Sequence, residues 1–352
     1  VTYCKKLLMI NKIFERLQDE ESKFIFETRV NYIIDRDMEK MVNNLYSLSK
    51  FYRCPELEDK LSRIDSKGII LYGCGKDGLR TKKLLEDSGY TVSFFCDSAI
   101  DKVGTKIDGV EVISVKELVK NYKDYLVIIS SRKFKNEIEE VLFKNNFPNK
   151  MVLKPRLGIV TGCCNWQYFD FFEPDPNEVF IDGGCWDGET IKDFLKYSNG
   201  NYKKIIGFEP IEEMYEMIQK RKSDEKWENV KILNAALWNK CEDLHFSENT
   251  TASRISDGGE RTVKGVNIDS VITNEKVTFI KLDVEGAELE ALEGARETIL
   301  RDKPKLAISV YHKPFDIIEL TLYIIELLPE CKFTLRHYYS EHEETVLYVE
   351  FE

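Results

Sequence analysis

Four polar residues stand at the ends of apolar runs that read as β-strands: Asp182 in "EVFID", Glu209 in "KIIGFEP", Asp283 in "VTFIKLD" and His312 in "KLAISVYH". In open α/β sheets ligands bind beyond the carboxyl ends of the strands. Four such residues at four strand ends are hard to explain as packing. Transfer of a methyl group to a hydroxyl would require the acceptor proton to be removed as the C–O bond forms. An unperturbed imidazole has a suitable pKa, so His312 is a candidate base, with Asp283 the second.

Asp182 is followed by Gly183, Gly184 and Gly188, a D-G-G-x-x-x-G loop opening a helix. The glycines let backbone pass close to a ligand. An acid inside the loop would repel a pyrophosphate and attract an ammonium. S-adenosylmethionine carries an ammonium and no phosphate, so it suits this loop. Glu209 is placed to take both ribose hydroxyls. Asn234 and Ala235, in "LNAAL", fall where an adenine edge would lie. Asp283 and Glu285 carry hard oxygen ligands, but no third ligand is identifiable, so no metal site is predicted. Glu288 reads as a helix-start acid. Trp186 either covers the cofactor or packs. Ser253 and Arg254, in "TTASRI", either line an acceptor site or belong to a surface loop.

A second glycine loop fits the phosphate-binding template more closely. "LYGCGKDG" places Gly73, Gly75 and Gly78 in GxGxxG spacing between a strand and a helix. Asp97 ends the next strand, where an acid meets a ribose hydroxyl. No catalytic pair accompanies it. The unit is therefore read either as a nucleotide-, nucleotide-sugar- or NAD-binding module or as a structural α/β unit. "FFCDSAIDKVGTKIDGVEVIS" resembles the small nucleotide-binding domain of sugar-modifying and polysaccharide-assembly proteins.

The elements that must position these residues follow from periodicity. Residues 1–66 show helical spacing and no glycine, and are expected to be a helical cap offering a surface for self-association. Residues 67–153 alternate strands and helices, which implies a small Rossmann-like parallel unit. Residues 154–178 hold Pro155, Gly158, Gly162, Pro174 and Pro176 and read as a linker, in which "QYFDFF" is able to pack under the next domain. Residues 179–352 form a second α/β series closed by two strands, "KFTLRHYY" and "TVLYVEF", whose short connection implies an antiparallel hairpin. That is the class I methyltransferase outline.

"VFIDGGCWDGET", "GFEP", "NAALW", "TTASRI", "VNIDSVI" and "FIKLDVEGAELEALEGA" together resemble the FkbM family of S-adenosylmethionine-dependent methyltransferases, over about residues 165–350. The resemblance implies O-methylation of hydroxyls, often on sugars or polyketides. It implies that Asp182, Gly184 and Glu209 bind the cofactor and that Asp283 and Glu285 lie at the reacting end. The loop reads G-G-C-W where many relatives carry G-A-N or G-A-Y. The fifth strand ends "SVYHKP" where many have an acid before the histidine. A non-catalytic binding protein of polysaccharide biosynthesis and an NAD-dependent sugar enzyme are the alternatives.

Composition sets the outer limits. The 352 residues carry a net charge of −11, which gives no general attraction for nucleic acid or anionic lipid. No run is long enough to span a bilayer. Lys5 and Lys6 precede an apolar run, Leu7 to Ile10, too short for a signal-peptide core, so a cytoplasmic location is expected. The nine cysteines include no CxxC, which argues against a zinc or redox motif, and the adjacent Cys163 and Cys164 read as loop filler.

Overall fold

The computed structural model of the chain describes residues 9–48, 66–131, 133–154, 167–247, 254–255, 261–272, 274–339 and 341–351. The Cys163–Cys164 pair, Ser253 and residues 155–166 of the expected linker lie outside them. The chain divides into two compact units. One comprises Asp37–Asn165 and His337–Glu343, here the N-terminal unit. The other, the C-terminal unit, comprises Val1–Arg36, Trp166–Arg336 and Glu344–Glu352.

The helical stretch expected as one cap is thus shared between the units. The helix Glu20–Asp35 starts at Asp19, whose carboxylate accepts from Ser22 N. It belongs to the C-terminal unit, where Ser22 Oγ accepts from Leu335 N at 2.9 Å and Arg29 donates to Thr345 Oγ1 at 2.9 Å. The helix Met38–Ser47 belongs to the N-terminal unit.

In the N-terminal unit, strands β1 (Ile69–Tyr72), β2 (Val92–Asp97), β3 (Lys106–Ile107), β4 (Val110–Ser114), β5 (Leu126–Ile129) and β6 (Val152–Leu153) form one sheet, ordered β3-β4-β2-β1-β5-β6. All pairings are parallel except β3 with β4. β1 shows why. Its four residues are all buried; Ile69 and Leu71 join one apolar cluster and Ile70 and Tyr72 another. A strand covered on both faces reads as a continuous apolar run.

The strands of the C-terminal unit are β7 (Val179–Gly183), β8 (Lys204–Phe208), β9 (Val230–Leu233), β10 (Ala236–Leu237), β11 (Glu242–Ser247), β12 (Arg254–Ile255), β13 (Arg261–Val266), β14 (Phe279–Leu282), β15 (Lys305–Ser309), β16 (Lys332–His337) and β17 (Thr345–Glu350). Its main sheet is ordered β16-β17-β15-β14-β7-β8-β9. The ladder from β15 to β9 is parallel, and β17 runs antiparallel to β15. This is the mixed, parallel-dominated sheet of the class I methyltransferase outline.

Aromatic residues fill the face beneath β7. Phe169 packs edge-on to Phe180 and to Phe279, each at 5.7 Å between ring centres, and Phe172 meets Phe279 at 5.1 Å. The "QYFDFF" segment is therefore core, worth roughly 2–3 kcal/mol per buried Phe. The last residues of the expected linker fold as part of this unit.

Two elements depart from the sequence reading. "VKILNAAL" is two strands, because the chain turns at Asn234 and Ala235. Asn234 Nδ2 ties that turn to the carbonyls of Glu209 and Pro210. β10 then joins a separate four-stranded sheet, β10-β13-β11-β12, that the sequence reading does not anticipate. "ELEALEGARETIL" is likewise two helices, Glu288–Glu293 and Arg296–Asp302, broken at Gly294. No described helix is long and apolar enough to cross a membrane.

Candidate active site

The glycine loop after β7 rests on the neighbouring strand. The parallel register sets Lys281 of β14 directly opposite Asp182 of β7. Both side chains are buried, at 1% and 0% exposure, with Nζ and Oδ1 3.0 Å apart. The ammonium also donates to the carbonyls of Gly183 at 3.0 Å and Gly184 at 2.7 Å, and lies 5.2 Å from the centre of the Tyr168 ring. Burial disfavours the charged lysine, yet Asp182 and Asp283 outweigh it and hold its pKa above the ordinary value. Burial pushes Asp182 up, partly offset by Lys281.

This corrects the part expected of Asp182. It is fully buried under the loop with Lys281 as its partner, and so does not present its carboxylate to a ligand ammonium. Its work is to hold the cation that grips the loop.

Gly184 has φ +77, and a Cβ on it would lie 1.9 Å from the carbonyl oxygen of Asp283. The loop therefore runs against the end of β14 at a distance that only glycine permits. Trp186, two residues on, is also left-handed (φ 49) and is 57% exposed. The loop thus leaves a large aromatic side chain open beside the end of β7.

Glu209, at the end of β8, is buried and links two loops. Oε2 accepts from Trp186 N at 2.8 Å and Oε1 from Ile211 N at 2.9 Å. Burial raises its pKa to about 7, against the pull of those two N–H groups. Each oxygen keeps lone-pair capacity beyond the backbone bond. Asn234 and Ala235 adjoin it through the Asn234 bonds to the Glu209 and Pro210 carbonyls.

At the end of β14, Asp283 Oδ2 accepts from Tyr168 OH at 2.9 Å and Oδ1 from Tyr311 OH at 3.2 Å. Burial would raise its pKa, but Lys281, His312 and Tyr168 together hold it below the ordinary value. His312 is drawn into the same group. Nε2 lies 3.5 Å from Asp283 Oδ1 and 3.7 Å from Glu285 Oε2, and Nδ1 lies 3.0 Å from Glu288 Oε1. Burial lowers its pKa, but Glu288, Asp283 and Glu285 overcome this and raise it to about 9.

The structure thus brings Asp283, Glu285 and His312 together as expected from their strand ends. It also revises the chemistry. Near neutral pH an imidazole whose pKa is raised to about 9 holds its proton, which sets a positive charge beside Asp283. Glu288 is more than a helix-start acid: besides facing His312, its Oε1 accepts from Val284 N at 2.8 Å. With Asp283 and His312 it supplies the third candidate metal ligand that was not identifiable in the sequence. Lys281, Tyr168 and Tyr311 were missed. The available signal was a lysine set inside the otherwise apolar strand "FIKL". Nothing in spacing marks the tyrosines, which reach Asp283 only through tertiary folding.

The other loop is arranged differently. Gly73, Gly75 and Gly78 do connect β1 to the helix Lys76–Asp87. Asp97, however, turns back onto that loop. Oδ2 accepts from Cys74 N at 3.2 Å and Sγ at 2.9 Å, Oδ1 accepts from Ala99 N at 2.9 Å, and Lys102 pairs with it at 3.3 Å. Arg254 lies in β12, within the second sheet. His337 is buried, whereas His342 is half-buried.

Residues 170–335 match the family model described as the methyltransferase FkbM domain, and residues 65–153 match one described as C2185-like, N-terminal. No curated protein matches the chain. Among solved structures the chain is similar to a methyltransferase FkbM from Methylobacillus flagellatus KT, at 18% identity and a TM-score of 0.48, covering 93% of this chain and 98% of that one. It is also similar to an rRNA methylase from Streptococcus thermophilus (19% identity, TM-score 0.35, 51% and 90% covered). A third similar structure is SMU.1697c, a putative methyltransferase from Streptococcus mutans in complex with SAH (13% identity, TM-score 0.34, 50% and 90% covered). Within the C-terminal unit, residues 170–335 are thus similar to the methyltransferase FkbM domain.

Proposed function

We propose that the C-terminal unit transfers the methyl group of S-adenosylmethionine to a hydroxyl of a sugar, nucleotide sugar or related small metabolite. The supporting observation is the juxtaposition of a cation-gripped glycine loop with an ionised carboxylate. Asp283 N donates to Gly183 O at 3.1 Å, so the cofactor loop and the Asp283 carboxylate meet at one strand end. Gly183, Gly184, Trp186 and Glu209 would hold the cofactor, with Glu209 on the ribose and Asn234 and Ala235 beside the adenine.

Asp283 accepts the hydrogen bond of the acceptor hydroxyl. The methyl–sulfur bond breaks as the methyl–oxygen bond forms. The hydroxyl proton leaves towards Asp283 and solvent, and S-adenosylhomocysteine remains. Tyr168 and Tyr311 aim the carboxylate. His312 contributes positive charge rather than basicity. The N-terminal unit is assigned the presentation of a nucleotide or nucleotide sugar, the N-terminal helices a contact between copies, and the chain a cytoplasmic place in polysaccharide synthesis.

Calorimetry with S-adenosylhomocysteine tests the cofactor assignment; no heat at high micromolar ligand would end it. Asp283→Asn should keep that binding within a few-fold and lower turnover by about 10²–10⁴, the usual contribution of a proton acceptor. Equal turnover in the variant would remove Asp283 from the chemistry.

A further inference from the structure

The group around His312 contains more buried polar atoms than its hydrogen bonds satisfy. His312 Nε2 and Glu288 Oε2 are buried without a hydrogen-bond partner among the described residues, while Nδ1 faces Glu288 Oε1 at 3.0 Å. The His312 side chain is only 4% exposed. Buried polar groups are ordinarily satisfied, and each exception calls for a reason. The carboxylate oxygens of Asp283 and Glu285, at 3.5 and 3.7 Å from Nε2, are at or beyond the outer limit for hydrogen bonds.

Those separations suit a different arrangement. Ligand atoms bound at about 2.0–2.2 Å to one cation stand roughly 3–3.5 Å apart when adjacent and about 4 Å apart when opposite. One donor atom each from Asp283, Glu288 and His312 lies within 4.8 Å of the other two. Side-chain rotations that move the donor atoms by about an ångström close that span. Three side chains on two adjacent strand ends and the following helix then converge on one point.

We propose that Asp283, Glu288 and His312 form a binding site for one divalent transition-metal ion. One imidazole with two carboxylates mixes a borderline ligand with hard ones. That set favours Mn²⁺, Co²⁺ or Zn²⁺ over Mg²⁺, whose preferred ligands are oxygen alone. Glu285 Oε2, from a side chain 47% exposed, stands at the open side, where water completes the coordination. An ion bound through one ring nitrogen of His312 and a Glu288 carboxylate oxygen gives these buried polar atoms a partner.

The test is titration of the purified full chain, stripped with chelator, with MnCl₂, ZnCl₂ and MgCl₂ and no cofactor present. Binding of one equivalent, at least tenfold tighter for Mn²⁺ or Zn²⁺ than for Mg²⁺, is expected. His312→Gln and Glu288→Gln should each weaken it tenfold or more. A second measurement does not depend on altering the site. With His245 and His342, the two of the other three histidines that are not buried, replaced by Gln, the Cu²⁺-loaded protein should show paramagnetic coupling to a single imidazole nitrogen. No saturable binding, binding unchanged in both variants, or coupling to no imidazole nitrogen would overturn the proposal and leave His312 as a plain imidazolium. The titration omits S-adenosylhomocysteine, so its failure is distinct from failure of the cofactor assignment.

Discussion

The two glycine loops of this chain invert the order in which their spacing ranks them. The loop of Gly73, Gly75 and Gly78 matches the phosphate template, yet its acid is folded back onto its own backbone. Its nearby cations are engaged too: Lys76 pairs with Glu341 at 2.9 Å, and Arg80 pairs with the same carboxylate. The loop of Gly183, Gly184 and Gly188 departs from the template, yet a buried cation from the next strand grips it. Spacing reports the path of a loop's backbone. The strand beside it decides the electrostatics.

The largest test of that contrast is Lys281→Ala. It leaves the Asp182 carboxylate buried without its partner, and breaking such a pair costs about 3–5 kcal/mol. Denaturant unfolding of the C-terminal unit should show the loss, along with weakened S-adenosylhomocysteine binding. An unchanged midpoint would mean that the ion pair does not support the loop.

Next, Gly184→Ala should abolish S-adenosylhomocysteine binding, because its Cβ meets the Asp283 carbonyl oxygen. Gly78→Ala meets an equivalent obstacle, the Gly73 carbonyl oxygen at 2.1 Å, but in the other unit. It should disturb the N-terminal unit and spare that binding. Loss of binding in both variants would erase the functional distinction between the loops.

A third test uses acidity. The folded pKa of Glu209, about 7, lies above its ordinary value of 4.5. Stability from its protonated form is present in full below about pH 4.5 and is lost as pH rises through 7, a change of about 3 kcal/mol. Ribose hydroxyls favour the ionised carboxylate, so S-adenosylhomocysteine affinity should rise from pH 6 to pH 8. Glu209→Gln should flatten both slopes; slopes identical to those of the parent would assign them elsewhere.

The smallest effect belongs to the N-terminal unit. Ser114 caps the helix Val115–Asn121 in a capping box with Glu117. Ser114→Ala should cost about 1 kcal/mol in thermal unfolding of that unit. S-adenosylhomocysteine affinity should stay as it is, and a matching loss of affinity would show that the units are coupled.

The strand–helix alternation of both units and the polar strand ends were legible because burial on two faces writes continuous apolar runs into the sequence. Asp283, Glu285 and His312 were found that way. The four-stranded sheet from β10 to β13 was not, since its strands are short and their apolar faces narrow: β13 buries only Gly265. The charge states were hidden for another reason. Asp182 looks like a ligand contact until register places Lys281 opposite it. His312 looks uncharged until Glu288, far along the chain from it, is seen against Nδ1. Such facts belong to pairs of residues distant in sequence, and no local pattern carries them.

The Lys281 grip also bears on protein engineering. A recombined enzyme that took residues 179–188 from one parent and residues 279–288 from another would inherit a loop without the hand that shapes it. These two segments behave as a single inheritable block, and crossover points placed between them should yield folded sheets with an unformed cofactor loop.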